Sequence, residues 1–321
     1  MKKQAENKEV KVINFMKYRY VFLTISFCII VFGLIYGFVT GFKFDIDFKG
    51  GTKIETDLNQ EFSNTDIENI VNEVIGSKPL VQTMSGGNSS VSITTDVISE
   101  QQVDEIVQAL KEKYPNMSDP STRNIQPSYG KDLVESAVVA VVVSVILILI
   151  YIAIRFKVLG LNAAITAIIA LIHDSLFIIA IYGIFKLPIN SSFVAVILTI
   201  IGYSINDTII IYDRIRENRK KVSRSLNLLD TINYSISQTI TRTIYTSLTT
   251  VVAIGIVYVF ALTNNQQVLK EFSLPLIIGI LVGTYSSIFI ATSLWNLLEN
   301  ITKKFKDRKK EKNNKSKNKK K

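Results

Sequence analysis

Six blocks of this 321-residue chain are apolar for long enough to cross a bilayer. They fall at about residues 20–39, 133–154, 158–185, 189–212, 243–262 and 272–298. The hydrocarbon layer takes roughly 20 apolar residues in a helix. A backbone in lipid must satisfy its own N–H and C=O groups, so each block is read as a helix. The third block is long enough to tilt or to run past the interface. Residues 41–132 follow other periods. Phe44-Asp-Ile-Asp-Phe48 alternates with period two, a strand signal; Gly50-Gly51 breaks it, and Thr52 to Leu58 alternates again. Ser63-Asn-Thr-Asp66 opens a helix with capping-box spacing. Leu80–Met84 and Ser90–Thr95 read as strands around the turn signal Gly86-Gly87-Asn88. Ser99 opens a second helix to Tyr114, with Val103, Ile106, Val107 and Leu110 on one face. A last strand is expected around Arg123–Ile125.

That order fits a small ferredoxin-like α+β domain with one modest core. The expected fold class is therefore a membrane all-α protein. Six transmembrane helices carry one α+β domain between helices 1 and 2. The expected divisions are a basic arm at 1–19, helix 1 at 20–42, the α+β domain at 43–130, a five-helix bundle at 131–300 and a disordered basic tail at 301–321.

Charge adds orientation. The whole chain carries a net +10, yet residues 41–132 hold eight Lys and Arg against fifteen Asp and Glu. The basic surplus flanks helix 1, follows helix 2 at Arg155 and Lys157, follows helix 4 from Arg214 to Arg224 and fills the tail. Every second loop is basic, the positive-inside pattern. Both termini are thus expected in the cytoplasm and residues 43–130 outside, with anionic lipid head groups attracting the basic loops. This distribution argues against a nucleic-acid partner. The first apolar block is too long for a signal-peptide core and no small-residue cleavage site follows it, so it is read as an uncleaved helix. One cysteine, Cys28, and one histidine, His173, leave no basis for an intramolecular disulfide or a Cys- or His-cluster metal site. No phosphate loop, catalytic triad or cofactor motif is present, and no enzyme activity is expected.

Ionisable residues inside the apolar blocks are costly and point to function. Asp207 lies roughly 9 Å inside the layer, counted at 1.5 Å per residue from Asp213-Arg214. A carboxylate at that depth can load a proton or hold a dehydrated cation; otherwise it is a protonated packing group. Arg242, where helix 5 enters from the same side, is expected near that depth, as a partner of Asp207 or as an arginine reaching to head groups. His173-Asp174 sits mid-helix 3, and Asp174 extends a polar path or packs in its neutral form. Gly279-Ile-Leu-Val-Gly283 is a small-xxx-small pattern for close helix packing, and Gly202 is expected to act similarly. Asp45, Asp47, Gly50 and Gly51 form a motif just after helix 1, with the glycine pair suiting a bulge or a sharp turn.

These residues in this order resemble the SecF family within the RND transporter superfamily. The resemblance is carried by Asp45 and Asp47 before Phe48-Lys-Gly-Gly-Thr52 and by His173-Asp174. It is also carried by Gly202-Tyr-Ser-Ile-Asn206-Asp-Thr208 with Tyr212-Asp-Arg-Ile-Arg-Glu-Asn218, and by Gln238-Thr-Ile-Thr-Arg-Thr243 with Thr246-Ser247. It spans about residues 15–300, and the six spans match a free SecF rather than a fused chain. It implies an RND-type half paired with SecD in the bacterial cytoplasmic membrane. It implies association with the SecYEG channel and SecA, and a late, gradient-driven role in moving a preprotein. It also implies that Asp207 and Arg242 serve proton passage, with Asp174 a weaker member. A small-molecule or lipid exporter, a structural assembly factor and an external sensor are the rival readings. The residues leave open whether H⁺ or Na⁺ is the coupling ion.

Overall fold

A computed structural model describes residues 12–84, 89–155, 161–221, 227–264 and 266–318. The expected turn at Gly86-Gly87-Asn88, residues 1–11 of the basic arm, and Lys157 and Arg224 lie outside them. Six helices are long and apolar enough to cross a membrane, and the chain is a multi-pass membrane protein. A single 3-10 turn, Phe15–Tyr18, leads into α1 (Arg19–Thr40). Then come α2 (Ile46–Lys49), β1 (Gly51–Asp57), α3 (Asn64–Ile75), β2 (Leu80–Thr83), β3 (Ser90–Thr95), α4 (Glu100–Lys113) and β4 (Ser121–Ile125). The remaining helices are α5 (Pro127–Arg155), α6 (Leu161–Phe185), α7 (Ser191–Lys221), α8 (Leu228–Thr263), α9 (Gln267–Ser286) and α10 (Thr292–Asn318).

The four strands form one antiparallel sheet in the order β2-β3-β1-β4. With a helix after β1 and after β3, this is the ferredoxin-like arrangement expected. Its core is apolar: Ile54, Leu58, Ile67, Val71, Val91, Ile93, Ile106 and Leu110 interlock between sheet and helices. The two helix starts differ. Ser99 accepts from the Gln102 N–H and Gln102 returns the bond, a complete capping box. Ser63 makes no side-chain cap bond; the Asp66 N–H donates to the Ser63 carbonyl at 3.0 Å instead.

Two expectations are corrected. The period-two segment Phe44–Phe48 is not a strand. Only Phe44 bridges, to Ile189, and Ile46–Lys49 makes one helical turn ended by Gly50 at φ +77°. The positive-φ Gly50 and Gly51 end that turn and redirect the chain into β1. The lysine-rich tail, expected disordered, continues α10 through Asn318, since no Pro or Gly interrupts its Lys- and Glu-containing run.

In the bundle, α6, α7 and α9 form the centre and α1 closes one side. Alanines 163, 164, 167 and 170 let α6 approach its neighbours. A Cβ on Gly279 would stand 2.0 Å from Ile200, and one on Gly283 would stand 3.0 Å from Ser204, so α9 rests on α7 through that glycine pair. Gly202 does not act this way. It is exposed, with nothing within 4 Å of a would-be Cβ, because it lies on the side of α7 turned from α9. The most apolar stretch of α5 has no buried residue, and that of α8 has few.

Candidate functional site

Between α6, α7, α8 and α9 runs a polar seam inside an otherwise apolar bundle. It starts from hydroxyls spaced one turn apart. Ser204 and Thr208 stand on the α7 face that also bears Asp207; Thr243 and Ser247 stand on α8; Thr284, Ser286 and Ser287 stand on α9 and just after it. Close packing through Gly279 and Gly283 brings the α7 and α9 sets within hydrogen-bond reach.

Asp174 is fully buried and well supplied with donors. Ser204 donates to Oδ2 at 2.5 Å and Ser286 to the same oxygen at 2.8 Å, while Oδ1 lies 2.9 Å from His173 Nδ1. The other His173 nitrogen meets Ser26 of α1. The pair His173-Asp174 thus ties α1, α6, α7 and α9 together, through two side chains pointing in different directions from adjacent positions.

Asp207 is also fully buried and much less well supplied. Its Oδ2 accepts from Thr284 at 3.3 Å, and Oδ1 has no donor among the described residues. Thr284 in turn lies 2.6 Å from Ser247 of α8. The Thr243 hydroxyl, one turn from Ser247, is buried and has no partner among the described residues. Buried polar atoms are almost always bonded, so an exception at a carboxylate calls for an explanation.

Arg242 is not where pairing would need it. It is exposed and forms no ion pair with Asp207, although its charge acts on Asp207 through space. Residues adjacent on a helix point about 100° apart. With Thr243 and Ser247 turned into the seam, Arg242 is carried onto the open face of α8. Asn206 and Gly202 are exposed on α7. Arg242 and Asn206 thus stand exposed in membrane-spanning helices among the described residues.

Three features of the bundle escape the sequence reading, the hydroxyl partners, the role of Tyr212 and the π-helical segment Ser287–Ala291 between α9 and α10, as does the buried Lys53 of the sheet. Tyr212 lies 2.8 Å from Thr166 and donates to the Ala291 carbonyl at 3.0 Å. That bond serves a carbonyl where the helical ladder shifts register, and single π-turns recur at functional sites. Ser287, first in the segment, donates to the Ser204 carbonyl at 3.1 Å and lies 2.8 Å from Thr208. The legible signal was the run of Ser and Thr at four-residue spacing in apolar helices.

The motif after α1 sits at the junction of sheet and bundle. Lys53, buried on β1, lies 2.8 Å from Glu55 and 3.5 Å from Asp45. Burial opposes its charge, but Glu55 and Asp45 outweigh burial and hold its pKa above the ordinary lysine value. Lys43 nearby is lowered by burial, with Lys53 adding repulsion. A cavity of about 270 Å³ opens here, lined by Lys43, Asp45, Lys53, Gln82 and Glu271 among others.

Comparison with known proteins gives one answer. Residues 105–301 match the family described as protein export membrane protein SecD/SecF, C-terminal. The chain is 38% identical to the protein translocase subunit SecF of Borreliella burgdorferi, over 92% of this chain and 99% of that one. It is 34% identical to the protein translocase subunit SecDF of Bacillus subtilis, over 88% of this chain but 37% of that longer one. The crystal structure of SecDF from Thermus thermophilus, a translocon-associated membrane protein, matches with TM-score 0.78 at 30% identity, over 90% of this chain and 39% of that one. SecDF in a super-membrane-facing form matches with TM-score 0.67, over 93% of this chain and 40% of that one. The chain spans about two fifths of the SecDF proteins and nearly all of the free SecF. With its six spans and its sheet domain after the first, it belongs to the SecF family of protein translocase subunits.

Proposed function

We propose that this chain works with SecD as the second half of an ion-driven export machine, and that Asp207 is the group that takes up and releases the coupling ion. The observation that carries the reading is the contrast between the two buried acids. Asp174 has three donors, which suits a fixed packing element. Asp207 has one long hydrogen bond and an oxygen with no donor among the described residues, which suits a group whose partner comes and goes. The surrounding hydroxyls of Thr243, Ser247 and Thr284 suit either a proton relay or a dehydrated cation.

The open face bearing Arg242 and Asn206 supports a SecD partner. A charge at membrane depth needs protein or water around it, and the relatives that carry both halves on one chain are named SecDF. Loading of Asp207 changes its attraction for Arg242 across this face. The helices repack, and the sheet domain acts on a preprotein delivered by SecYEG and SecA. The positive-inside pattern supports placing the sheet domain outside the bacterial cytoplasmic membrane and both termini inside. A unit charge falling through 100 mV yields about 2.3 kcal/mol, enough to bias a two-state equilibrium roughly 50-fold, so many small steps are needed.

Asp207→Asn tests this, with secretion and ion flux measured together in the complex with its partner. Loss of both by tenfold or more, with normal assembly, is the expected result. Normal export would leave the chain a structural assembly factor.

A further inference from the structure

The sheet-side ends of α7 and α9 are each held by a part-buried side-chain bond, and the residue linking α7 to the sheet is Asp47. It is 5% exposed. Its Oδ2 accepts from both the N–H (2.9 Å) and the hydroxyl (2.6 Å) of Ser191, the first residue of α7. Its Oδ1 lies 3.5 Å from the Arg123 guanidinium of β4. One carboxylate therefore bridges the α7 N-terminus and the sheet. Carboxylates are favoured at a helix N-terminus, and charge-assisted bonds are the stronger kind.

Backbone bonds reinforce the link. Asp45 N–H donates to the Ile189 carbonyl at 3.0 Å, and Ile189 N–H donates to the Lys43 carbonyl at 2.8 Å. The neighbouring Asn190 donates to Glu271 on α9. Below, α2 is wedged under the start of α5. A Cβ on Gly50 would stand 2.8 Å from Pro127, and one on Gly130 would stand 2.8 Å from the Phe48 carbonyl. Such contacts leave no room for slippage.

From Ser191, α7 runs about 24 Å to Asp207 at 1.5 Å per residue. Two of the four helices that enclose the seam, α7 and α9, are thus held at this joint. We propose that Asp47 is a positioning residue that makes α7 and the sheet domain move as one body, converting helix displacement at the seam into displacement of the domain. This rests on the ion-driven reading above. A plain helix cap would fix local structure but transmit nothing.

The test uses the full chain with its partner in proteoliposomes, Cys28→Ser throughout. One fluorophore pair reports the sheet domain against the membrane; a second reports α7 against α9. In Asp47→Ala, a gradient should still shift the bundle pair, while the domain shift and export fall by tenfold or more. Tying Asp47→Cys to Ser191→Cys with a short reducible cross-linker should leave export within twofold of wild type. That arm stands even where Asp47→Ala does not assemble. Unchanged domain movement in Asp47→Ala, or export blocked by the cross-link and restored on reduction, overturns the joint alone. A wild-type chain whose bundle pair never responds to a gradient overturns the ion-driven reading and the joint with it.

Discussion

The sheet domain and the helix bundle both have apolar cores, but among the described residues only the bundle holds fully buried carboxylates at its centre. Inside the domain stand Ile54, Ile67, Val91, Ile93, Ile106 and Leu110, while the Lys78–Glu68 and Lys113–Asp66 pairs lie at its surface and the buried Lys53 pairs lie at its junction with the bundle. In the bundle the fully buried set includes Asp174, Ser204, Asp207, Ser286 and Ser287, while Phe27, Leu147, Val252 and Ile256 face outward. Two solvents account for this. In water the domain gains by removing apolar surface. In lipid, helices gain nothing by hiding apolar groups from one another, and association depends on close packing and interhelical hydrogen bonds. The bundle can therefore hold a carboxylate at its centre, where a change of its bonding is felt by several helices at once.

If the comparison holds, truncation should hurt the two regions very differently. The largest effect is expected in the domain. Ile106→Ala removes a fully buried side chain from the α4–sheet contact and should cost about 4 kcal/mol. Amide exchange of β1 and β3 in the full chain would read this as lost protection, with the helices unaffected. Equal loss across the bundle would show that the regions do not fold separately.

Sequence period located both regions because each solvent imposes its own. Six apolar blocks became six spans, and β3 spans the residues read as a strand after the Gly86-Gly87-Asn88 turn signal. Asp207 stood out because a lone acid in an apolar run is costly wherever it faces. What it faces depends on residues far along the chain: Thr284 lies 77 positions away, and the Ser286 that meets Asp174 lies 112 away. No local pattern encodes that register. The choice between the two readings of Arg242 turns on azimuth. A one-residue step on α8 rotates a side chain out of the seam, and depth alone does not give azimuth. Phe44–Phe48 was misjudged because alternation over five residues suits a helical turn as well as a strand once Gly50 ends it.

A smaller effect separates the two buried acids. Ser286→Ala removes one of the donors of Asp174 and should cost about 1 kcal/mol, the usual scale for a hydrogen bond between membrane helices. Reversible unfolding of the full chain in mixed micelles would measure it. Export should survive, since Ser204 and His173 still serve the carboxylate. A complete loss of export with assembly intact would move Asp174 from packing into the ion path.

The smallest effect is a pH dependence confined to the domain. Burial pushes the Asp57 carboxyl up, but the Asn59 N–H and the hydroxyls of Ser89 and Ser90 outweigh it and hold its pKa below the usual 3.8. Asn59 and Ser90 each donate at 2.9 Å. A depressed carboxylate contributes stability that is complete above its unfolded pKa and lost as pH falls through the folded one. Protection of the β1–β3 pair should therefore decline as pH drops below about 4. Asp57→Asn should flatten that decline and leave neutral pH little changed, because Asp57 is partly in water and its bonds compete with solvent. Lys53 supplies the opposite limb. Its raised pKa gives stability that is complete below the unfolded lysine value and lost as pH rises through the folded one. A domain whose acid limb is unchanged by Asp57→Asn would show that this carboxylate does not set its acid sensitivity.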